Sequence, residues 1–486
     1  MKKIFVLILT IALVSALFCI SAFAANDPAS GTVLRVSAEK KDGSTTLIND
    51  YTSFEDGWNA AMELASNFRE LNNKGYTRVI VELCADWNAV NGEFTGDFFN
   101  GKGFNWDAIY FPSKVKVTLN MGGYTINRGL TEYELNGEVM YIDEDADVII
   151  ENGTITGGWS YNGAGGIHIN DGASVALNNV NVVGNTVTTD QGAAIALYDG
   201  ATLIMTGGKL ADNILDYPAH YYEDTKGTLY VDNSTAVLTD VVFSGNRQTG
   251  ALTVKGSAVA LCGTSTVTLN DCLVENQGRN DEKCATSLFY GDAQSELILN
   301  NTVIKNNGTW YSGEAGYSTA IDMDGKLTMS ECMVTDNAFF AIFQIALKGC
   351  TYDIMDCVIT DNQSEIFTYE PSGSNNTVTL TNCQFDNNFA QKYKKATFEV
   401  VVCRTGLAAD ITFVDCEFGN STFDNERNYT FVNTADNAAG TMLTEGSISM
   451  IISLVSLLAS VALLVVTIVS SKKRTAINAQ EHEEEA

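Results

Sequence analysis

The chain has 486 residues, of which 59 are acidic and 29 are basic, and its formal net charge is −30. Such an excess of carboxylates excludes nucleic acid and other polyanions as partners unless a cation bridges the two surfaces. The charge fits a surface protein that stays soluble in the presence of salt.

Residues 1–24 have the features of a secretory signal peptide. A basic Met-Lys-Lys start precedes the apolar stretch Ile4–Ile20, and Ala22-Phe23-Ala24 has the small-x-small form that signal peptidase cuts. We expect cleavage after Ala24 and therefore an exported protein.

Residues 25–114 are predicted to form an N-terminal cap of short strands and one helix. Strands are expected at Val33–Val36 and Val79–Asp86. Ser53-Phe-Glu-Asp56 resembles a capping box, and Gly75 is a plausible stop. The helix between them is amphipathic, with apolar residues at helical spacing: Phe54, Trp58, Ala61, Ala65 and Phe68. A cap of this kind would cover the exposed end of a repeat domain.

A repeat occupies residues 115–435. In one copy, Ala173–Asn185, apolar and polar residues alternate and the copy ends in Asn. Alternation with a period of two predicts a strand. The central apolar residue of each copy recurs every 25 to 33 positions, at Leu119, Ile150, Leu177, Met205, Leu238, Leu269, Leu299, Met329, Ile354, Leu380 and Phe413. Self-similarity at this period indicates a solenoid, a propeller or an array.

A parallel β-helix explains the repeat best. A second short strand precedes the anchor strand in most copies, as in Gly166–Asn170, and Asp-Gly turns close it. A third short strand ends at the Asn. A leucine-rich repeat is shorter and includes a helical segment, and a propeller blade requires four strands.

Four motifs carry a family resemblance: Phe243-Ser-Gly-Asn246, Phe385-Asp-Asn-Asn388, Gly192-Ala-Ala-Ile195 and the looser Gly165-Gly-Ile-His168. They resemble the Phe-x-x-Asn and Gly-Gly-Ala-Ile marks of polymorphic outer-membrane adhesins. The repeat as a whole resembles the right-handed parallel β-helix, or pectin-lyase-like, superfamily. The resemblance covers roughly two thirds of the chain and implies an all-β solenoid of about eleven rungs. A fold of this kind does not by itself define a function.

Five cysteines occupy the position three residues after the anchor: Cys272, Cys332, Cys357, Cys383 and Cys416. Val180 and Val241 fill this position in earlier copies. Equivalent positions of successive rungs stack about 4.8 Å apart. A buried, reduced and apolar ladder is the favoured reading because buried Cys behaves as a small hydrophobe. Disulfides between neighbouring rungs remain an alternative in an exported protein.

The position before the cysteine ladder is polar and mostly acidic. Calcium binds oxygen ligands of this sort, and the candidate metal ligands are Asp240, Asp271, Glu331, Asp356 and Asp415. Asn301 and Asn382 complete the row. The favoured alternative is that Asp and Asn serve as turn residues on a solvated surface. We expect no other cofactor.

The connections that follow the Asn of each repeat are rich in aromatic residues. They leave the rung at equivalent places and should gather along one edge, where exposed aromatics are candidate binding residues. Rings beside Asn, Asp and Gln suit sugars, although they could also fold back over the rungs. The candidates are Trp159, Tyr161, Tyr221, Tyr222, Trp310 and Tyr311.

The C-terminal part reads as a membrane anchor. After a polar linker at 436–447, Ile448–Val469 has no charged residue and is long enough to span a bilayer as one helix. Lys472-Lys-Arg474 follows at once. The positive-inside rule then predicts a cytoplasmic tail at 470–486 and an extracellular repeat domain in the cell membrane.

We find no catalytic set in the sequence. The chain has three His residues, and His168, beside Asn170 and Asp171, is a weaker candidate for an acid or base than for a structural residue. The motifs of β-helix polygalacturonases do not occur together. We therefore expect a membrane-anchored surface protein that is adhesin-like or binds a polysaccharide or host glycan without catalysis. The alternatives are a polysaccharide lyase or glycoside hydrolase of the pectin-lyase-like superfamily, and a structural stalk.

Overall fold

The structure is a computed structural model. It describes residues 28–89, 108–161, 163–188, 191–217, 226–250, 255–278, 287–308, 318–345, 349–369, 376–388, 399–402, 410–419, 421–424 and 429–433. The chain divides into two compact units, residues 1–434 and 435–486, and every described residue belongs to the first. The predicted signal peptide, membrane span and cytoplasmic tail lie outside the described residues.

The cap begins with an antiparallel strand pair and two short helices. Its elements are β1 (Leu34–Lys40), β2 (Thr45–Tyr51), α1 (Phe54–Ser66), α2 (Phe68–Lys74), β3 (Tyr76–Leu83) and β4 (Trp87–Asn88). Strand β1 pairs with both β2 and β3. Strand β3 then pairs in parallel with the first strand of the repeat, so that the cap continues directly into the solenoid.

The predicted helix is present, but it ends earlier than expected. The Ser53 side chain accepts a hydrogen bond from the Asp56 amide, as an N-cap should. The helix ends at Ser66 because Asn67 leaves helical geometry and caps α2 instead. Phe68 was therefore wrongly included in the buried face, and 46% of it is exposed. Gly75, the expected stop, has a left-handed φ of 71° and ends α2 rather than the predicted helix.

Within the described residues, one long sheet of 24 strands carries β1 to β4 and two strands of most repeats. Its remaining strands are β6 (Lys116–Asn120), β7 (Thr125–Asn127), β9 (Asp147–Thr156), β12 (Ser174–Val183), β15 (Thr202–Ala211), β18 (Thr235–Thr239), β19 (Val242–Ser244), β22 (Thr266–Asn270), β23 (Leu273–Glu275), β25 (Glu296–Asn300), β26 (Val303–Lys305), β28 (Lys326–Ser330), β29 (Met333–Thr335), β31 (Thr351–Met355), β32 (Val358–Thr360), β34 (Thr377–Thr381), β35 (Gln384–Asp386), β37 (Asp410–Val414), β38 (Glu417–Phe418) and β40 (Tyr429–Val432).

The eleven anchor residues are in register on consecutive strands of this sheet, from the Leu119–Ile150 pair to the Leu380–Phe413 pair. All eleven are fully buried. The alternation of apolar and polar residues therefore predicted correctly that the apolar residues of these strands face the interior. The parallel solenoid is confirmed.

A second sheet faces the first across the core. In the described part of the chain it has ten parallel strands: β5 (Ile109–Phe111), β8 (Met140–Ile142), β11 (Ile167–Ile169), β14 (Gln191–Leu197), β17 (Lys226–Asp232), β21 (Val259–Cys262), β24 (Ser287–Gly291), β27 (Thr319–Met323), β30 (Ala341–Ile345) and β33 (Glu365–Tyr369). Two smaller sheets complete the described strands: β10 (Trp159–Ser160), β13 (Thr186–Val187), β16 (Ile214–Tyr217) and β20 (Arg247–Gly250), and β36 (Glu399–Val402) with β39 (Ser421–Asp424).

The Asn at the end of each repeat forms a buried ladder through the solenoid. In Asn337, for example, Oδ1 accepts from the backbone N–H of Asn307, and Nδ2 donates to Oδ1 of Asn362. The ladder residues are 0–1% exposed and comprise Asn185, Asn213, Asn246, Asn307, Asn337, Asn362 and Asn388, with Gln277 in one rung. Buried amides of this kind satisfy backbone groups that the turns leave open.

The five predicted ladder cysteines are buried and free, with exposures of 1–2%. Their role is not purely apolar, however. The Sγ of Cys332 lies 3.3 Å from the carbonyl oxygen of Leu299 in the preceding rung, and the hydroxyl of Thr302 makes the equivalent contact with Leu269. In these rungs a small side chain donates a hydrogen bond to the rung before it, whereas the buried Val180 and Val241 fill the position in earlier rungs without one.

Candidate functional site

A long connection between β7 and β8, residues 128–139, is held in place by one buried arginine. Arg128 is fully buried. Its guanidinium donates to the carbonyl oxygens of Asn136, at 2.6 Å, and Glu138, and to Oε2 of Glu134 at 3.0 Å. A planar guanidinium offers several donors in a fixed geometry. One side chain therefore ties both halves of the connection together.

The connection also pairs with the start of the next one. The Glu134 amide donates to the Trp159 carbonyl at 3.0 Å, and the Tyr161 amide donates to the Glu134 carbonyl at 2.7 Å. Gly137 makes this approach possible, because a Cβ there would lie 1.9 Å from the Trp159 carbonyl oxygen. The two segments thus form one rigid unit on the surface of the solenoid.

Three aromatic side chains lie on this unit, Tyr133, Trp159 and Tyr161, and we call them the aromatic patch. The Tyr133 and Tyr161 ring centroids are 5.5 Å apart and the rings are inclined by 42°. Tyr133 is 56% exposed, and the neighbouring Leu135 is 62% exposed. The Trp159 indole Nε1 donates to Oγ1 of Thr188 in the next rung at 2.8 Å. Exposed rings held by a rigid scaffold are suited to bind a ligand.

A second group of rings stacks on the outer face of the ten-stranded sheet. Tyr110, Tyr141, His168, Tyr198 and Tyr230 follow one another at centroid distances of 4.6–5.9 Å. The ring faces in this stack contact each other and therefore leave little surface for a ligand. His168 lies between Tyr141 and Tyr198, and burial lowers its pKa to about 4. This supports the structural role that the sequence favoured for His168.

A hydrogen-bond network around Asp143 accompanies the ring stack. The carboxylate accepts from the Tyr110 hydroxyl, from Ser113 Oγ at 2.7 Å and from the Glu144 amide at 2.9 Å. Burial acts to raise the pKa of Asp143, but these hydrogen bonds outweigh it and lower the pKa below its usual value. Burial, with the nearby Asp143 and Glu138 charges, raises the pKa of Tyr141 to about 12. The network is internally satisfied, which also indicates a structural role.

The predicted acidic row lies at a left-handed turn in the long sheet. Its seven members have φ between 47° and 56°: Asp240, Asp271, Asn301, Glu331, Asp356, Asn382 and Asp415. Asp and Asn tolerate this conformation better than most residues. The Asn members separate the charges, since the amide of Asn301 donates to Asp271 at 2.6 Å and that of Asn382 donates to Asp356 at 2.5 Å.

Among the described residues, no group of three or more His, Cys, Asp or Glu side chains is placed to hold a metal ion. The turn geometry is a sufficient reason for Asp and Asn at this position. Calcium binding by Asp240, Asp271, Glu331, Asp356 and Asp415 stays a prediction.

Two of the six predicted binding residues, Trp159 and Tyr161, lie together in the aromatic patch, and both are partly exposed. Tyr221, Tyr222, Trp310 and Tyr311 lie outside the described residues. Sequence reasoning missed Tyr133, the most exposed ring of the patch. Its signal was the long polar connection after β7, in which Tyr133 stands between Glu132 and Glu134.

The fold also agrees with a comparison against protein families. A family described as the right handed beta helix region matches residues 128–301. The chain is a right-handed β-helix repeat protein. Strand pairing extends the β-helix beyond the matched residues on both sides, from the β3–β6 pair to the β37–β40 pair. Comparison of the β-helix protein with curated proteins and with solved structures gives no match.

Across the described ranges, no helix of this β-helix protein is both long enough and apolar enough to cross a membrane. The segment predicted to do so, Ile448–Val469, is outside those ranges.

Proposed function

We propose that this β-helix protein is a cell-surface, membrane-anchored binding protein that recognises a glycan through the aromatic patch and does not cleave it. The observation that carries the proposal is the exposed Tyr133 ring, which contacts the partly exposed Tyr161 ring and lies on a connection held by the buried Arg128. Tyrosine rings combine a flat apolar face with a polar hydroxyl. Sugars present the same mixture of apolar and hydroxyl-bearing faces.

Rigidity of the patch supports a binding role. Binding is weakened when loops must be ordered, and a segment that is already ordered avoids most of that cost. Here Arg128 holds the first segment, and the Trp159 indole is fixed by Thr188. The backbone that carries the rings and the Trp159 indole are therefore ordered before any ligand arrives.

The arginine itself is a reason to favour binding over lyase chemistry at this place. A lyase requires a basic side chain that can reach the substrate. The Arg128 guanidinium is fully buried, and its donors serve the carbonyls of Asn136 and Glu138 and the Glu134 carboxylate. It therefore cannot reach a sugar bound on the exposed rings.

The predicted leader and the predicted span Ile448–Val469 support a surface location, with the repeat domain outside the cell and the tail inside. An acidic, rigid domain on the outside of a membrane fits an adhesin-like protein. The proposed surface location requires that the repeat domain lie outside the cell and the C-terminal tail inside it. Protease protection of the C-terminal tail in intact cells tests it directly.

The test of glycan binding uses the full chain, solubilised in a polyoxyethylene detergent that carries neither sugar nor charge. A panel of polysaccharides is screened for retention of the polymer and for its chain length over time. We expect retention without shortening. We expect Tyr133→Ala to weaken retention about tenfold, since an aromatic side chain that becomes covered by a ligand contributes roughly 1–2 kcal/mol to binding. Tyr124→Ala, at another exposed tyrosine, is the matched control.

Any of three results would overturn the proposal. Shortening of a polymer would show that the protein is an enzyme, and the search for a base would then move to connections outside the described residues. Equal retention by the wild-type and Tyr133→Ala proteins would mean that the patch is not the site. If no polymer is retained, a spacer role becomes the better account.

A further inference from the structure

The last four cysteines of the ladder stand on consecutive rungs, and we call them the cysteine column: Cys332, Cys357, Cys383 and Cys416. The residues on either side of each Cys pair in register with their equivalents in the next rung, so neighbouring members lie directly opposite one another. The backbone carbonyl of each of the first three members accepts a hydrogen bond from the next rung at 2.9 Å. Adjacent rungs are about 4.8 Å apart, which falls within the Cα separation of about 4.4–6.8 Å that a disulfide requires.

The thiol groups of the column also contact one another in the core. All four side chains are 1% exposed and free. The Cys357 thiol is in hydrogen-bond contact with the thiols of Cys332 and Cys383, and the Cys383 thiol also contacts that of Cys416. The first cysteine of the ladder, Cys272, is separate from the column, because Thr302 occupies the rung between it and Cys332.

We propose that the column closes into two disulfides, Cys332–Cys357 and Cys383–Cys416, as the exported chain folds. This is the only pairing of neighbours that uses all four thiols, because a Cys357–Cys383 bond would leave both end members single. Parallel side chains on adjacent rungs keep their Cβ atoms about 4.8 Å apart, somewhat more than the usual 3.5–4.5 Å or so of a disulfide. Small shifts close the two pairs, since the gap between Cys357 and Cys383 can widen in compensation.

Each bond would form by exchange with a small disulfide oxidant such as oxidised glutathione. One cysteine thiolate attacks the oxidant and releases one glutathione thiol, and the neighbouring thiolate then attacks the mixed disulfide and releases the second. The cysteine pair thereby loses two electrons and two protons, which the two released thiols carry. Burial excludes an oxidant from the finished rungs, so the exchange precedes their packing. The predicted leader directs the chain to a compartment where disulfides persist.

The test maps the disulfides of the full chain. The protein is reduced in urea, refolded in the same uncharged detergent with reduced and oxidised glutathione, and quenched with N-ethylmaleimide. A second sample is quenched directly in cells that export the protein. Cleavage before Asp residues places every ladder cysteine in a separate peptide, which mass spectrometry without reduction can identify. We expect the linked peptides Cys332–Cys357 and Cys383–Cys416 and an alkylated Cys272.

Two variants test the pairing. Cys357→Thr should fold, because Thr302 already fills the same position in another rung. It should leave Cys332 alkylated and keep the Cys383–Cys416 link, whereas Cys272→Thr, the matched control, should keep both links. Because a disulfide restricts the unfolded chain, the oxidised wild-type protein should unfold at a higher urea concentration than its reduced form. This difference should shrink by about half in Cys357→Thr and stay unchanged in Cys272→Thr.

The outcomes decide the proposal. The expected links in either sample would support it. Alkylation of all four members of the column in both samples would overturn it, and the ladder would then be a reduced one. A Cys357–Cys383 link, or any link to Cys272, would overturn the pairing. The proposal goes beyond glycan binding and does not depend on it, so the polysaccharide panel and the disulfide map can fail independently.

Discussion

Replacing Asn337 with Ala should destabilise the β-helix more than any single surface substitution. The Asn337 amide is fully buried. Its Oδ1 accepts from the backbone N–H and from Nδ2 of Asn307, both at 3.0 Å. Its Nδ2 lies 2.9 Å from the Ile304 carbonyl, 2.9 Å from the Thr335 carbonyl and 3.0 Å from Asn362 Oδ1.

The magnitude follows from these contacts. Three acceptors share the two hydrogens of Nδ2, so about four full hydrogen bonds are lost, each with a net value of about 1 kcal/mol. The backbone N–H of Asn307 is left buried without its acceptor, and an unsatisfied buried group costs roughly 1–3 kcal/mol. Entry of a water molecule would recover part of this loss. We expect a decrease of about 3–5 kcal/mol in the free energy of unfolding.

The assay is equilibrium urea denaturation of the full chain in detergent, followed by circular dichroism. Asn178→Ala is the control, because Asn178 lies on the outer face of the long sheet and donates one hydrogen bond to Glu151 at 3.0 Å. It should cost less than about 1 kcal/mol. The reasoning would be refuted if Asn337→Ala cost no more than Asn178→Ala.

Three further changes have definite expected results. Gln277→Asn should stabilise the protein by roughly 1 kcal/mol in urea denaturation, because the buried Gln277 Oε1 has no hydrogen-bond partner among the described residues and Asn would extend the ladder; a loss of stability would contradict this. Gly137→Ala should weaken polymer retention at least about tenfold, because its Cβ would collide with the Trp159 carbonyl, whereas the exposed Thr131→Ala should have no effect; equal losses would contradict the proposed site. His168 has a pKa of about 4 when folded and about 6.5 when unfolded, so stability should fall as pH falls from about 6.5 to 4. Between about pH 7 and pH 4.5, the free energy of unfolding should fall by about 2 kcal/mol less in His168→Phe than in the wild-type protein. Urea denaturation of both proteins at the two pH values measures this difference; identical pH dependence would contradict the prediction.

The solenoid could be predicted from the sequence because the pattern of each rung depends on residues that are close together in the chain. In the anchor strands, side chains alternate between the interior and the surface, so the apolar positions Val175 and Leu177 could be placed inside from spacing alone. The turn role of the acidic row could also be predicted, since Asp271 and its equivalents occupy left-handed turns that Asp and Asn tolerate. Each of these features depends on a few neighbouring residues.

Features that depend on contacts between rungs were not predictable in the same way. From the sequence, the Asn of each repeat was predicted only to end a strand. In the structure this Asn, for example Asn185 or Asn213, hydrogen-bonds the backbone of another rung about 30 residues away. The cysteines read as apolar, yet the thiol of Cys332 contacts a carbonyl of the preceding rung. The spacing of the residues identified the positions, and the partner could be assigned only once the rungs were stacked.

The aromatic patch lies where, among the described residues, the regular Asn ladder gives way to a different arrangement. Along the ladder, one Asn per rung satisfies the backbone, as Asn185 does by accepting from the amide of Gly158. Gly158 has no side chain to continue the ladder toward the cap. In the turn before it, Arg128 supplies the buried donors instead, and its longer side chain organises a connection that displays Tyr133. The residues that we propose to face the ligand thus lie where the ladder begins, and Arg128 there holds a connection that the Asn ladder does not.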